Sequence, residues 1–281
     1  MHFESFEPRV LLSADLVPAV PETDPSTTPA QYQHIDADGG TPVTIRWDGS
    51  RSGDGVAALS ATGTTLFEDD DGTVAELQVS GPGSASWQVA DGRLSLLIDG
   101  STAATRVSVN TTGGDERIVI HAIHATSELG QADLGQADLA GLAQFDAGVG
   151  TLVLGQLHGA NVQIGGIGQA QLDLGAVHDS QLLAGGVSMA LRVDSWHSSA
   201  AGASAVDVAQ LRSLHSGGDV AFDLHVNGIG HTGYMLGLVQ VGGAIGQGHW
   251  NVEGRANRVI AGHTGADWRL NVDGTLALVE G

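Results

Sequence analysis

The chain has no cysteine among its 281 residues. Neither a disulfide framework nor a thiolate metal site can form, and the absence is compatible with an extracellular bacterial repeat protein. It also has no lysine: the 11 basic residues are all arginine, against 32 acidic ones, for a formal net charge of −21. A surface so short of cations excludes nucleic acid and anionic membranes as expected partners, because phosphate binding needs clustered positive charge. The same excess of carboxylates favours solubility and loose association with divalent cations. Aromatic residues make up only 4%, too few for an ordinary globular α/β core. No run of 18 apolar residues occurs, so no membrane-spanning helix, and hence no membrane insertion, is expected. The first residues lack the basic and long apolar segments of a secretory signal.

What the chain has instead is glycine, 42 copies, and repetition. Residues 151–170 (TLVLGQLHGANVQIGGIGQA) align without a gap on residues 171–190 (QLDLGAVHDSQLLAGGVSMA). Identical pairs include Leu152/Leu172, Leu154/Leu174, Gly155/Gly175, His158/His178 and Gly165/Gly185. The spacing extends back to Ala132-Asp133-Leu134-Gly135-Gln136 and, one residue shorter, forward to Leu191 through His197. Beyond that it loosens, with related strands at residues 222–228, 250–254 and 268–274. Repetition at a fixed short period marks a solenoid, in which each repeat packs mainly on its neighbours. Leu-x-Leu-Gly and Val-x-Ile-Gly-Gly read as alternating strands of three or four residues ended by glycine. About twenty residues with two or three such strands is one coil of a parallel β-helix. Coils stack at the strand spacing of about 4.8 Å, so about eight of them between residues 107 and 281 give a rod on the order of 40 Å long. Leu152, Leu154, Leu172, Leu174, Leu191 and Val193 are expected to form inward ladders. The predicted fold class is therefore all-β.

Four regions follow. Residues 1–16 (MHFESFEPRVLLSADL) stand apart, and residues 17–40, rich in Pro, Thr, Ala and Asp, read as a flexible linker. Residues 41–106 alternate strand patterns with turn pairs such as Asp48-Gly49 and Asp71-Gly72, and are expected to cap one end of the solenoid. Residues 107–281 are the β-helix. The last residues, 275–281, follow a strong strand directly, and the expectation is that further repeats of the same polypeptide continue from there.

The segment Phe6-Glu7-Pro8-Arg9-Val10-Leu11-Leu12-Ser13-Ala14-Asp15 resembles the LEPR-XLL motif of very large, repetitive bacterial surface or secreted proteins. Phe6 replaces the leading Leu, while Glu7, Pro8, Arg9, Leu11, Leu12 and Ser13 keep the pattern. The resemblance covers about ten residues. It implies an adhesin-like exported protein whose body is repeats, with these residues in export or sorting.

Candidate chemistry is sparse. His158, His178 and His197 fall at equivalent places of successive coils; stacked imidazoles can ligate a transition metal or stand as a plain polar ladder. His121 and His124 are expected on opposite faces of a strand and so unable to share a metal. Glu68-Asp69-Asp70-Asp71-Gly72 is a dense carboxylate loop, making Asp69, Asp70 and Asp71 the candidate calcium ligands, although calcium wants six to eight oxygens. Asp36-Ala37-Asp38-Gly39 begins like a calcium loop but lacks its closing glutamate, and residues 112–118 resemble one imperfect calcium β-roll repeat. Residues 132–141 read as two Ala-Asp-Leu-x-x pentapeptides. No cofactor is required by any of these patterns. An enzyme of the polysaccharide lyase or hydrolase kind would need carboxylates and an arginine grouped on one face, for which Asp173, Asp179, Arg192 and Asp194 are the available set. A glycan binder would show an aromatic row, and Trp196, Trp250 and Trp268 supply one unless they fill the coil interior. The expected function is a non-catalytic structural or adhesive region of a bacterial surface or secreted protein, facing surface glycans or cell receptors. The alternative is a glycan-binding or polysaccharide-degrading β-helix.

Overall fold

The computed structural model describes residues 63–69, 71–90, 93–229 and 231–281, together with the backbones of two earlier strands. Residues 1–40, with the LEPR-XLL-like segment and the linker, and Asp70 lie outside the described residues. Among the described residues there is no helix. The first seven strands are β1 (Val43–Arg46), β2 (Gly55–Ala58), β3 (Gly63–Glu68), β4 (Val74–Ser80), β5 (Ser84–Ala90), β6 (Arg93–Asp99) and β7 (Arg106–Thr112). They are followed by β8 (Ile118–Ala125), β9 (Leu129–Leu134), β10 (Ala137–Phe145), β11 (Val149–Leu154), β12 (Leu157–His158), β13 (Asn161–Ile164) and β14 (Gly168–His178). The rest are β15 (Gln181–His197), β16 (Ala205–Ser216), β17 (Asp223–Val226), β18 (Tyr234–Val252), β19 (Arg255–Val272) and β20 (Leu276–Glu280).

From β6 onward every strand pairs in parallel with strands one coil away, and three interior ladders result. On the first face Ala132, Leu152, Leu172, Leu191, Leu214, Val239, Val259 and Val279 are in register. On the second, Ile120, Leu139, Leu157, Val177, Trp196, Val220 and Ile245 follow one another. The third runs Leu96, Ile123, Ala143, Val162, Leu182, Val206, Leu224, Trp250 and Leu270. All but Val279 and Leu270, in the last coils, are buried. The six residues expected to point inward do so. The described residues from β6 onward form a three-faced β-solenoid of about 8 turns with coils of about 20 residues.

Each face alternates because successive strand residues point to opposite sides. The apolar set therefore stacks on itself at the coil rise, and a core forms without large aromatics. Glycines allow the close packing: a Cβ on Gly237 would lie 1.9 Å from the Arg212 carbonyl oxygen of the preceding coil.

The start of the rod is built differently. On the first face β7 pairs antiparallel with β4, β4 with β3, and β3 lies parallel to β1. On the third face β6 pairs antiparallel with β5 and β5 with β2. These hairpins cover strand edges that would otherwise be free to pair. Parallel stacking reaches back to β6, so the first coil begins inside the region 41–106 assigned to the cap.

Two successive coils between Leu191 and Val239 are longer than the coils on either side of them. The step from Leu191 to its partner Leu214 is 23 residues, and from Leu214 to Val239 it is 25, against 20 from Leu152 to Leu172. The surplus sits at corners. Residues 198–204 occupy a turn that is only Asp179-Ser180 one coil earlier, and residues 227–229 and 231–233 lie between β17 and β18. The interior here is filled by Trp196, Phe222 and Trp250, which are buried, with Trp268 half-buried beyond them. Their rings follow one another at 4.9, 5.5 and 5.5 Å.

Candidate functional site

The histidines at equivalent coil positions are brought together. His158 pairs with His178 and His178 with His197 in the parallel ladder. Their ring centroids lie 5.1 and 5.2 Å apart, with planes 7° and 23° from parallel. His158 and His197 are exposed and His178 is half-buried. Burial, then the charges of His158 and His197, hold the His178 imidazole below its ordinary value. His158 Nε2 lies 3.1 Å from Gln156 Oε1.

The acidic loop serves the cap. Asp69 Oδ1 accepts the Thr73 amide at 3.0 Å, and Asp71 Oδ1 accepts the same amide at 2.8 Å. Asp71 Oδ2 accepts the Asp115 amide at 3.0 Å, and the Thr73 hydroxyl donates to Asp115 Oδ1 at 3.4 Å. Burial, then the hydrogen bond to Asp71, pushes Asp69 up to about 6, while Asp71 is held low as the acceptor of that bond. These oxygens tie the β3–β4 turn to the glycine turn after β7. Among the described residues no group of three or more His, Asp or Glu side chains is arranged to hold a metal ion.

His121 and His124 depart from the expected opposite faces. Ile118 and Ile120 are buried, then Ile123 and Ala125, with His121 and Ala122 both partly exposed between them. The chain turns a corner there, which breaks the alternation and leaves both rings outside the core. His124 Nε2 lies 3.0 Å from Asp146 Oδ2; burial, then the charge of Arg93, lowers His121.

Of the carboxylates and arginine considered for catalysis, Asp173, Arg192 and Asp194 share the outer side of the first face on adjacent coils, and Asp179 lies apart from them. Arg192 faces Asp173 at 3.9 Å across adjacent coils of the first face. Asp179 sits at a corner, where its Oδ1 accepts the Ser199 amide at 2.7 Å. Trp196 and Trp250 are interior, so they present no aromatic row at the surface.

Two features escape a reading by pattern. Arg117 pairs with Asp138 one coil on, its Nε 3.0 Å from Oδ2, and Asp138 Oδ1 also accepts the Gln156 amide at 2.6 Å. The other is a cavity of about 210 Å³ beside the inserted corner, lined by Ser198, Ser204, Asp223, Gln247, His249 and Asp267 among others. Gln247 Nε2 donates to the Ser198 carbonyl at 3.1 Å, and Asp223 Oδ1 accepts the His249 amide at 2.8 Å. The lengthened step after Leu191 is the sequence signal for this cavity, but its lining comes from four coils.

Fold and surface together define a β-solenoid that carries a column of three histidines on its outer side. No protein-family model matches the chain, and no curated protein or solved structure matches it significantly.

Proposed function

We propose that this chain is a non-catalytic structural and adhesive repeat region of a bacterial surface or secreted protein. The observation that carries the reading is the set of three apolar ladders running through about 8 turns. Continuous ladders favour a stiff spacer, because every coil is clamped to two neighbours. The acidic loop, whose Asp69 and Asp71 accept backbone amides of the cap turns, fits a structural role for its carboxylates. The resemblance of residues 6–15 to the LEPR-XLL motif supports export and a larger repetitive protein. In that setting the inserted corner at 198–204 is the segment offered to surface glycans or receptors. Beads coated with the chain should be retained on cell layers, and a variant with residues 198–204 replaced by a two-residue corner should be retained less. Equal retention of coated and bare beads would refute an adhesive role.

The corner cavity favours a second reading, a glycan-binding or glycan-degrading surface. Carboxylates, an imidazole and an amide around about 210 Å³ match the hydrogen-bonding groups of a sugar. Reducing-end release from a panel of polysaccharides separates the degrading form of this reading from the first.

A further inference from the structure

We infer that the stacked histidines form a binding site for a divalent transition cation such as Zn²⁺, with two adjacent imidazoles holding one ion. Imidazole is a preferred ligand of such metals, at about 2.0–2.1 Å from nitrogen to zinc. Two nitrogens on one ion therefore lie about 3 Å apart. The backbones of His158, His178 and His197 are locked in register by the ladder, with the Gly159 amide bonded to the His178 carbonyl at 2.9 Å and the Asp179 amide to the His197 carbonyl at 3.0 Å. Ring centroids at 5.1 and 5.2 Å leave the nitrogens of neighbours farther apart than one ion needs. Closing the gap takes a shift of about 1 Å at each ring and, because the planes lie 7° and 23° from parallel while the ion must sit in the plane of each imidazole, a rotation of each ring by roughly 50° out of the stack. The torsion that tilts an imidazole is broad, and the outer rings are solvent-exposed. For His158 the motion also gives up the 3.1 Å contact of its Nε2 with Gln156 Oε1.

The geometry also sets the stoichiometry. His158 and His197 are two coils apart and cannot meet on one ion. His178 belongs to both possible pairs, so each chain takes one ion in this column, with water completing the shell. Loss of either outer histidine removes one of two alternative pairs, and loss of the central one removes both.

The test is calorimetric titration of ZnCl₂ into the full chain at pH 7.5. His178→Ala should lower the affinity of the column at least tenfold, and His178→Gln should do the same while keeping a polar side chain. His158→Ala and His197→Ala should each lower it only about twofold. His263→Ala, an exposed histidine outside the column, should change nothing, and unchanged circular dichroism confirms that each variant folds. Wild type and His178→Ala titrating alike overturns the inference, as does absence of Zn²⁺ binding by the wild type.

Discussion

Replacing Leu172 with alanine tests the interior ladder most directly. Leu172 is fully buried between Leu152 and Leu191 on the first face. The substitution removes three carbon atoms, about 2.4 kcal/mol at about 0.8 kcal/mol for each buried methylene. The coils above and below are held by continuous backbone pairing and cannot collapse fully into the gap. A residual void of about 50 Å³ adds about 1 kcal/mol, for a total of about 3–4 kcal/mol. In a domain of this size that lowers Tm by about 10 °C. Leu238 is the internal control: it lies next to the ladder residue Val239 in β18 but is 42% exposed, so Leu238→Ala should cost under about 0.5 kcal/mol. Thermal melts followed by far-ultraviolet circular dichroism, supported by urea midpoints, measure both. Equal losses for the two variants would mean that inner and outer faces are misassigned, and the ladder argument would fall. A loss at Leu172 confined to a minor early transition would show instead that coils melt independently, as a one-dimensional stack permits.

Gly237→Ala should destabilise by about 2 kcal/mol or more, because the new Cβ meets the Arg212 carbonyl oxygen at 1.9 Å and overpacking against paired backbone is costly. Gly246→Ala in the same strand meets nothing nearer than 3.8 Å and should stay within about 0.5 kcal/mol; urea midpoints that do not separate the two would contradict the close coil contact. His225 predicts a pH dependence. Burial lowers its pKa, but hydrogen bonds to Asp207 and Glu253 outweigh that and raise it above the ordinary 6.5. A folded-state value above the unfolded one gives stability that is complete below pH 6.5 and is lost as pH rises through the folded value. Profiles of Tm between pH 6 and 9 should therefore fall in the wild type and lose this component in His225→Asn; parallel profiles would remove His225 as its source.

Much of this architecture is legible before any coordinates. The twenty-residue spacing of Leu152/Leu172 and His158/His178 is the coil itself, since parallel in-register stacking places equivalent residues on top of one another. The alternation of Leu and Val in Leu-x-Leu-Gly reports the inner face directly, because strand side chains have a period of two. The same argument failed at His121 and His124, where a corner resets the period within the strand. The tryptophans could be read as a surface row or as core filling. Their composition is identical in either case, and the choice depended on the inward ladder positions of Trp196 and Trp250, with Phe222 stacked between them.

Local spacing thus determined the all-β coil, the inward leucine ladder and the histidine column, all of which repeat with the chain's own period. Tertiary structure alone decided what depends on contacts without a period. The antiparallel hairpins over the first coil join β7 to β4 and β6 to β5. The Arg117–Asp138 pair links charges 21 residues apart. The corner cavity draws its lining from residues 198 to 267. Each arises because stacking brings distant segments to about one strand spacing of each other, and the side chains that then meet are set by insertions and corners rather than by the repeat.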